Sequence, residues 1–218
     1  MSDIIARVSR AAGSTHARCP HLVFRDVLGG STVAGLLDYV VARQADFRPS
    51  VVRNRKSGER RVDIGRRDCL SLGDLGPFAA GIKTVMGKIS EVALKELNLA
   101  EFAVEPRQFE ICTYGDGGHF NAHIDTAETL DRVRVVSCVY YFAASPRRFS
   151  GGELRLFGFP TGLADGRPAP FVHIIPETDT LVAFPSWLSH EVLPVRVPTG
   201  IWVDRRFTIN CWFHRVDS

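Results

Sequence analysis

Residues 119–128 read HFNAHIDTAE, with His119, Asn121, His123 and Asp125 at every second position. Side chains of an extended strand alternate between its two faces, so this spacing predicts four polar groups projecting from one side of a strand. Burying such a row without a purpose is costly. Two readings compete. One is a solvated strand edge, and the other is half of a metal site that needs a third ligand from elsewhere in the chain.

Outward from this stretch the texture is that of a β protein. After Pro106, short β-branched and aromatic runs alternate with Gly, Pro and Asp turn signals. They predict strands near 107–114, 119–125, 133–143, 153–158, 171–175, 179–184, 190–196 and 205–214. Towards the N-terminus the period changes. Val33, Leu36, Leu37, Val40 and Val41 form an amphipathic helical stripe with Ser31 or Thr32 as its N-cap, and a second helix runs from about Pro77 to Leu97. Between the helices, VVRNRKSGERRVDIGRRD reads as a basic loop, and residues 1–20 as a loose arm. The expectation is a mainly β (α+β) fold, a double-stranded β-helix or cupin-like jelly roll, with the N-terminal helices packed on one sheet. We expect one domain over 1–218: arm, helices and basic loop over 1–105, and a jelly-roll core over 106–218.

Composition narrows the class. The chain has 218 residues, 45% hydrophobic and 23% charged, which suits a globular domain with a full core. A net charge of +3 is too small to point to nucleic acid. No stretch approaches the roughly 20 apolar residues of a membrane helix, and the start MSDIIARVSR lacks a secretory signal's apolar run, so a cytoplasmic protein with no membrane partner is expected. Cys19, Cys69, Cys112, Cys138 and Cys211 are widely spread and form no CxxC. They read as reduced core thiols rather than a disulfide framework or zinc knuckle.

The missing ligand has a candidate in His190, within FPSWLSHEVLPV (184–195). His123, Asp125 and His190 would make a triad of two imidazoles and one carboxylate, the donor set that holds non-haem Fe(II) with open positions left for substrates. The stretch RRFTINCWFH (205–214) alternates Arg206, Thr208, Asn210 and Trp212 with Phe207, Ile209, Cys211 and Phe213. If the apolar face packs on the helices, Arg206 lies inside the roll, where a guanidinium needs an anionic partner. A dicarboxylate gripped by a planar fork would supply one.

The ordered set YGDGGHFNAHIDT, VSCVYYFA, FSGGELRLF, DTLVAFPSWLSHEVLPV and RRFTINCWF resembles the 2-oxoglutarate and Fe(II)-dependent oxygenases, particularly their prolyl-4-hydroxylase-like branch, over about residues 106–214. The resemblance implies iron ligation by His123, Asp125 and His190. It implies a pairing of Arg206 and Tyr141 with the distal carboxylate of 2-oxoglutarate; Thr208, on the same inward face as Arg206, and Tyr114, one position displaced from a tyrosine of some relatives, are read as lining that pocket. The implied activity is hydroxylation of an unactivated C–H bond, with O2 as the second co-substrate and release of succinate and CO2. Asp125 favours hydroxylation over halogenation, because halogenating relatives lack that carboxylate. Phe120 departs from the pattern, since many relatives have a tyrosine three residues before the first histidine.

Other residues receive plainer readings. His119 is read as a surface or supporting residue, Asn121 and Asn210 as contacts near substrate or metal, and Trp212 as core. His173 and His214 are read as structural, and His16 and His21 as arm residues. The segment from Arg53 to Arg67, with TAETLDRVR (126–134), is expected to form a mobile lid whose Arg55, Arg60, Arg61, Arg66 or Arg67 meets an anionic substrate group. The substrate classes left open are an amino acid, a peptidyl residue such as proline and a small biosynthetic intermediate. Two alternatives compete: a cupin-like protein that binds metal without turnover, which has no need of Arg206 and Tyr141, and a nucleic-acid dealkylase. The dealkylases usually carry a second arginine on the last strand, where this chain has Trp212. Nothing in the sequence selects an oligomeric state.

Overall fold

The period-two runs beyond residue 103 pair into two facing sheets, and these position everything that follows. The computed structural model describes residues 8–10, 19–53, 58–99, 103–126, 134–158 and 169–216. In chain order the first half contributes β1 (Val8–Arg10), β2 (Leu22–Arg25), helix α1 (Gly30–Ala42), β3 (Arg48–Pro49), β4 (Val51–Arg53), β5 (Arg60–Val62), β6 (Arg67–Asp68), β7 (Leu70–Leu72) and helix α2 (Ala79–Glu96). The second half contributes β8 (Val104–Tyr114), β9 (His119–His123), β10 (Arg134–Phe142), β11 (Ser150–Gly151), β12 (Leu154–Phe157) and β13 (Phe171–Ile174). It ends with β14 (Thr180–Pro185), β15 (His190–Val192), β16 (Val195–Arg196) and β17 (Arg206–Arg215).

The larger sheet runs β1-β2-β14-β10-β17-β8-β7-β3 and the smaller β13-β12-β15-β9-β6, giving the expected jelly roll. Strand β17 lies between β10 and β8, with Tyr141 opposite Thr208 and Tyr114 opposite Arg206. Alternation then divides the larger sheet into two faces. Ile111, Tyr140, Phe142, Phe207, Ile209 and Phe213 pack against Leu36, Val40, Ile82, Met86 and Ile89 of the two helices. Burial of each such side chain contributes about 1.5–3 kcal/mol, which fixes the face and so turns Arg206 and Thr208 inward.

Three expectations need correction. The N-cap of α1 is Gly29 at φ 82°, and neither Ser31 nor Thr32 caps it. The Asp179 carboxylate instead accepts the Leu28 and Gly29 amides at 2.8 and 2.9 Å, a tertiary partner that local sequence does not announce. Secondly, the basic segment is not a loop, because β4 pairs with β5 and β6 joins the smaller sheet. Its strands are two or three residues long and mostly arginine and valine, too short to show a period. Thirdly, the arm reading fails twice, since Val8–Arg10 pairs with β2 at the edge of the larger sheet and His21 is no arm residue. It is buried just before β2, with Nδ1 2.7 Å from the Cys19 carbonyl.

Candidate active site

Strands β9 and β15 pair with His190 opposite His123, but the register slips between that pair and Val192 opposite Phe120. The slip is a β-bulge, and it overturns the strict alternation expected of residues 119–125. Phe120 turns inward, packs among Cys69, Cys112, Tyr114 and Val192, and stacks on His123 with ring centroids 3.6 Å apart. Asn121 is exposed, and its amide donates to the Gly65 carbonyl at 3.1 Å rather than facing the metal side. The His119 ring nitrogens lie 3.1 and 3.4 Å from the Gly117 and Gly65 carbonyls, so His119 supports the turn beside the site.

What converges is His123, Asp125 and His190, whose ligand atoms lie within 4.8 Å of one another. Each histidine is held the same way. His123 Nδ1 is 2.9 Å from the Asn121 carbonyl and His190 Nδ1 is 2.9 Å from the Leu188 carbonyl. A carbonyl only accepts, so Nδ1 carries the proton and the Nε2 lone pair of each ring is left for an ion. Those nitrogens stand 3.6 and 3.5 Å from the Asp125 carboxylate. Asp125 Oδ2 accepts from the Ser137 hydroxyl at 2.6 Å and from the Trp212 indole at 2.8 Å, which leaves Oδ1 as the uncommitted oxygen. Trp212, expected to be a core residue, is instead a direct support of the carboxylate.

The protonation states suit a cation. Burial, and then the neighbouring His190, push His123 down to about 3. Burial alone would raise Asp125, but the His190 and His123 rings and the bonds from Ser137 and Trp212 outweigh it and hold the carboxylate at about 2. A neutral imidazole and an ionised carboxylate are the forms that bind a metal.

Deeper along the same face, Arg206 is 1% exposed. Its Nε donates to the Gly152 carbonyl at 2.8 Å, and its guanidinium carbon lies 4.8 and 5.0 Å from the Tyr114 and Tyr141 ring centres. Gly152 has φ +69°, and a Cβ there would stand 2.6 Å from Arg206 Cδ, which explains the second glycine in FSGGELRLF. Among the described residues nothing meets Arg206 Nη1 or Nη2, the Thr208 hydroxyl or the Tyr141 hydroxyl. Tyr141 lies close enough to feel the Arg206 charge yet lacks a partner in hydrogen-bonding geometry, and burial pushes its pKa up to about 12. Two cationic N–H groups beside two hydroxyls, all sealed from water, are complementary to a carboxylate.

Asn210 faces the barrel interior, donating to Cys112 Sγ at 3.3 Å. Of the basic-segment arginines, Arg61 pairs with Asp63 at 3.2 Å on the surface and Arg66 is half-buried. Arg55 lies outside the described residues, as do 127–133 of the expected lid. Sequence reasoning missed Ser137 and Glu110 as site residues and took Arg67 for a lid arginine, although Arg67 turns into the barrel over Phe120. Only the period-two run of β10 and β17, which puts Ser137 opposite Trp212, carried a signal for one of them.

Against known proteins, residues 109–214 match the sequence profile of the 2OG-Fe(II) oxygenase superfamily. An uncharacterised PKHD-type hydroxylase of Synechocystis sp. is 32% identical over 124 residues, covering 56% of this chain and 41% of that protein, so the match spans about two fifths of its relative's length. A Pseudomonas putida prolyl-4-hydroxylase superposes with TM-score 0.63 at 24% identity, over 93% of this chain and 96% of the other. A Trichoplax adhaerens prolyl hydroxylase, solved with a hypoxia inducible factor peptide fragment, gives 0.62 at 19% identity over 92% and 86%. At these identities the two structures establish a shared fold.

Proposed function

We propose that this chain is a hydroxylase dependent on Fe(II) and 2-oxoglutarate, a reading supported by the match of residues 109–214 to the 2OG-Fe(II) oxygenase superfamily. Its substrate in this reading is an amino acid, a peptidyl residue such as proline or a small biosynthetic intermediate. The observation that carries the proposal is the pairing of two half-sites on one barrel interior. An acidic and imidazole triad fits Fe(II), and beside it a buried Arg206 with two unmatched nitrogens fits the far carboxylate of 2-oxoglutarate. A protein that only stored metal would have no use for the second half.

Iron held by His123, Asp125 and His190 would, with 2-oxoglutarate and O2, supply oxidative decarboxylation to succinate and CO2 coupled to hydroxylation of a C–H bond. The residues of this chain do the positioning. Ser137 and Trp212 hold Asp125 so that one oxygen faces the ligand site, and the Asn121 and Leu188 carbonyls hold the two imidazoles with Nε2 towards it. Arg206, Tyr141 and Thr208 would bind the co-substrate's distal carboxylate, with Tyr114 walling the pocket. The low-dielectric surroundings strengthen that contact and exclude water from it.

The test is spectroscopic. Anaerobic addition of Fe(II) and 2-oxoglutarate is expected to give the weak visible charge-transfer band of the chelate, and His123→Ala or His190→Ala to abolish both band and bound iron. A band and iron content unchanged in those variants would sink the ligand assignment.

The hairpin of β4 and β5 with the turn to Arg67 serves, in the same reading, as a cover for the barrel mouth that meets an anionic group of the substrate. Its exposed Val62 and Ile64 and the guanidinium of Arg61 support this. Amide hydrogen exchange over 58–67 is expected to slow when a turned-over substrate binds, and unchanged exchange with such a substrate would remove the cover role.

A further inference from the structure

Arg67 enters the barrel and lands between two thiols. Its Nε is 3.1 Å from Cys69 Sγ, and its Nη2 is 3.2 Å from Cys112 Sγ and 3.3 Å from Glu110 Oε2. Cys112 Sγ in turn donates to Glu110 Oε2 at 3.4 Å. Ser50 Oγ lies 3.1 Å from Cys69 Sγ, and the Asn210 amide donates to Cys112 Sγ. A fixed guanidinium that bridges two sulfurs favours a thiolate on one of them, and the thiolate is the reactive form. Burial alone would raise Cys69, but the bond with Cys112 and the Arg67 charge bring it to about 6, while Cys112, bonded to Cys69 and buried, is pushed well up. The arrangement is a nucleophilic sulfur with a protonated partner beside it. The side chains of Arg67 and Glu110 keep 12% and 27% of their exposure, so the cluster borders solvent.

We propose that Cys69 and Cys112 are a modification site: a thiol pair that hydrogen peroxide converts to a disulfide, and that a dithiol reductant reopens. The Cys69 thiolate attacks one peroxide oxygen, giving a sulfenic acid and hydroxide. Cys112 then attacks that sulfur, the S–S bond forms, and the displaced hydroxide and the Cys112 proton leave as water. Overall two thiols lose two electrons and one peroxide becomes two waters.

The register Leu70 opposite Thr113 and Ser71 opposite Cys112 places Cys69 level with Tyr114, so the bridge crosses the two strands diagonally. Diagonal neighbours stand roughly 7–8 Å apart at Cα, whereas a disulfide favours about 5.5–6 Å, so closure must draw the strands together. Cys69 occupies the one-residue gap between β6 and β7, outside both ladders, with its carbonyl accepting from the Ser50 amide at 2.9 Å, so closure must carry that one bond with it. Strain of this kind keeps a disulfide reducible. Cys112 precedes by two residues Tyr114, whose ring lies against Arg206, so closure reaches the pocket assigned above to 2-oxoglutarate.

The chain contains its own control. Cys138 and Cys211 face each other directly across β10 and β17, but they are sealed under the helices without an arginine. The metal-free protein is treated with one to a few equivalents of hydrogen peroxide, alkylated and weighed. The expected result is a loss of 2 Da, two fewer alkylatable thiols, a cross-linked peptide pair containing Cys69 and Cys112, and full reversal by dithiothreitol. Cys112→Ser should stop at a sulfenic acid on Cys69 that dimedone traps. Oxidation of Cys138 and Cys211 first, or oxygen addition at Cys69 without bridging in the unsubstituted protein, would overturn the site. The consequence for the pocket is read separately, as a several-fold loss of 2-oxoglutarate affinity by calorimetry with redox-inert Zn(II) present. An oxidised protein with undiminished affinity overturns that consequence. If reduced protein binds no 2-oxoglutarate at all, the functional reading fails while the mass result still decides the thiol pair.

Discussion

A guanidinium 1% exposed, with neither terminal nitrogen matched among the described residues, costs several kcal/mol unless a ligand supplies an anion. The Tyr114 and Tyr141 rings lie against the Arg206 guanidinium and help to shield it from water. A carboxylate arriving there meets two charge-assisted N–H bonds and two hydroxyls. Removing the arginine leaves that carboxylate buried and unpaired, at a cost of about 2–5 kcal/mol. Arg206→Ala is therefore expected to weaken 2-oxoglutarate by roughly 30-fold or more. Iron content should stay unchanged, because the triad does not touch Arg206. Titration of the chelate band measures both quantities in one experiment, and an unchanged affinity would move the carboxylate clamp elsewhere.

At the scale of elements, long strands with one apolar face were legible in the sequence and short ones were not. The longer runs among β8 to β17 could be read because alternation over four or more residues leaves a mark, and Arg206 went inward as the apolar face of β17 required. The triad was read from residue type and spacing instead, since Asp125 lies beyond the end of β9 and His190 opens a strand of three residues. The bulge in β9 could not, because an inserted residue is set by pairing with β15 and not by local composition, and so Asn121 was expected on the wrong face and the inward turn of Phe120 was not foreseen. The hairpin of β4 and β5 was hidden by strands of three residues. Gly152 shows an element detail with a chemical consequence, since the chain passes from β11 to β12 with φ +69° there so that Arg206 Cδ can lie against its backbone. Gly152→Ala would place a methyl 2.6 Å from that carbon and 2.8 Å from Val195 Cγ2. The expected outcome is a destabilisation of about 1–3 kcal/mol together with weakened 2-oxoglutarate binding. Urea denaturation beside a binding titration would show both, and a variant with normal stability and affinity would mean that the backbone turn does not position Arg206.

Over the whole molecule, the two half-sites lie across the gap between the sheets. His123 and His190 belong to the smaller sheet through β9 and β15, whereas Asp125 is tied to the larger one by Ser137 on β10 and Trp212 on β17. An ion shared by the three residues therefore links one sheet to the other, and a co-substrate spanning from that ion to Arg206 adds a second link on the larger sheet. Ligands that bind only the folded state stabilise it by mass action, about 2.7 kcal/mol at a hundredfold excess over Kd, and in a chain of this size each kcal/mol raises Tm by roughly 2–4 °C. Saturating Zn(II) or anaerobic Fe(II) is accordingly expected to raise Tm by roughly 5–10 °C, and a chelator to reverse it. 2-Oxoglutarate should add a further increment only when metal is present, because one end of it needs the ion and the other needs Arg206. The combination distinguishes the two links: Arg206→Ala should keep the metal increment and lose the 2-oxoglutarate increment, and His190→Ala should lose both. A 2-oxoglutarate increment of equal size without metal, or one that survives in Arg206→Ala, would show that the co-substrate does not bridge the sheets in this way.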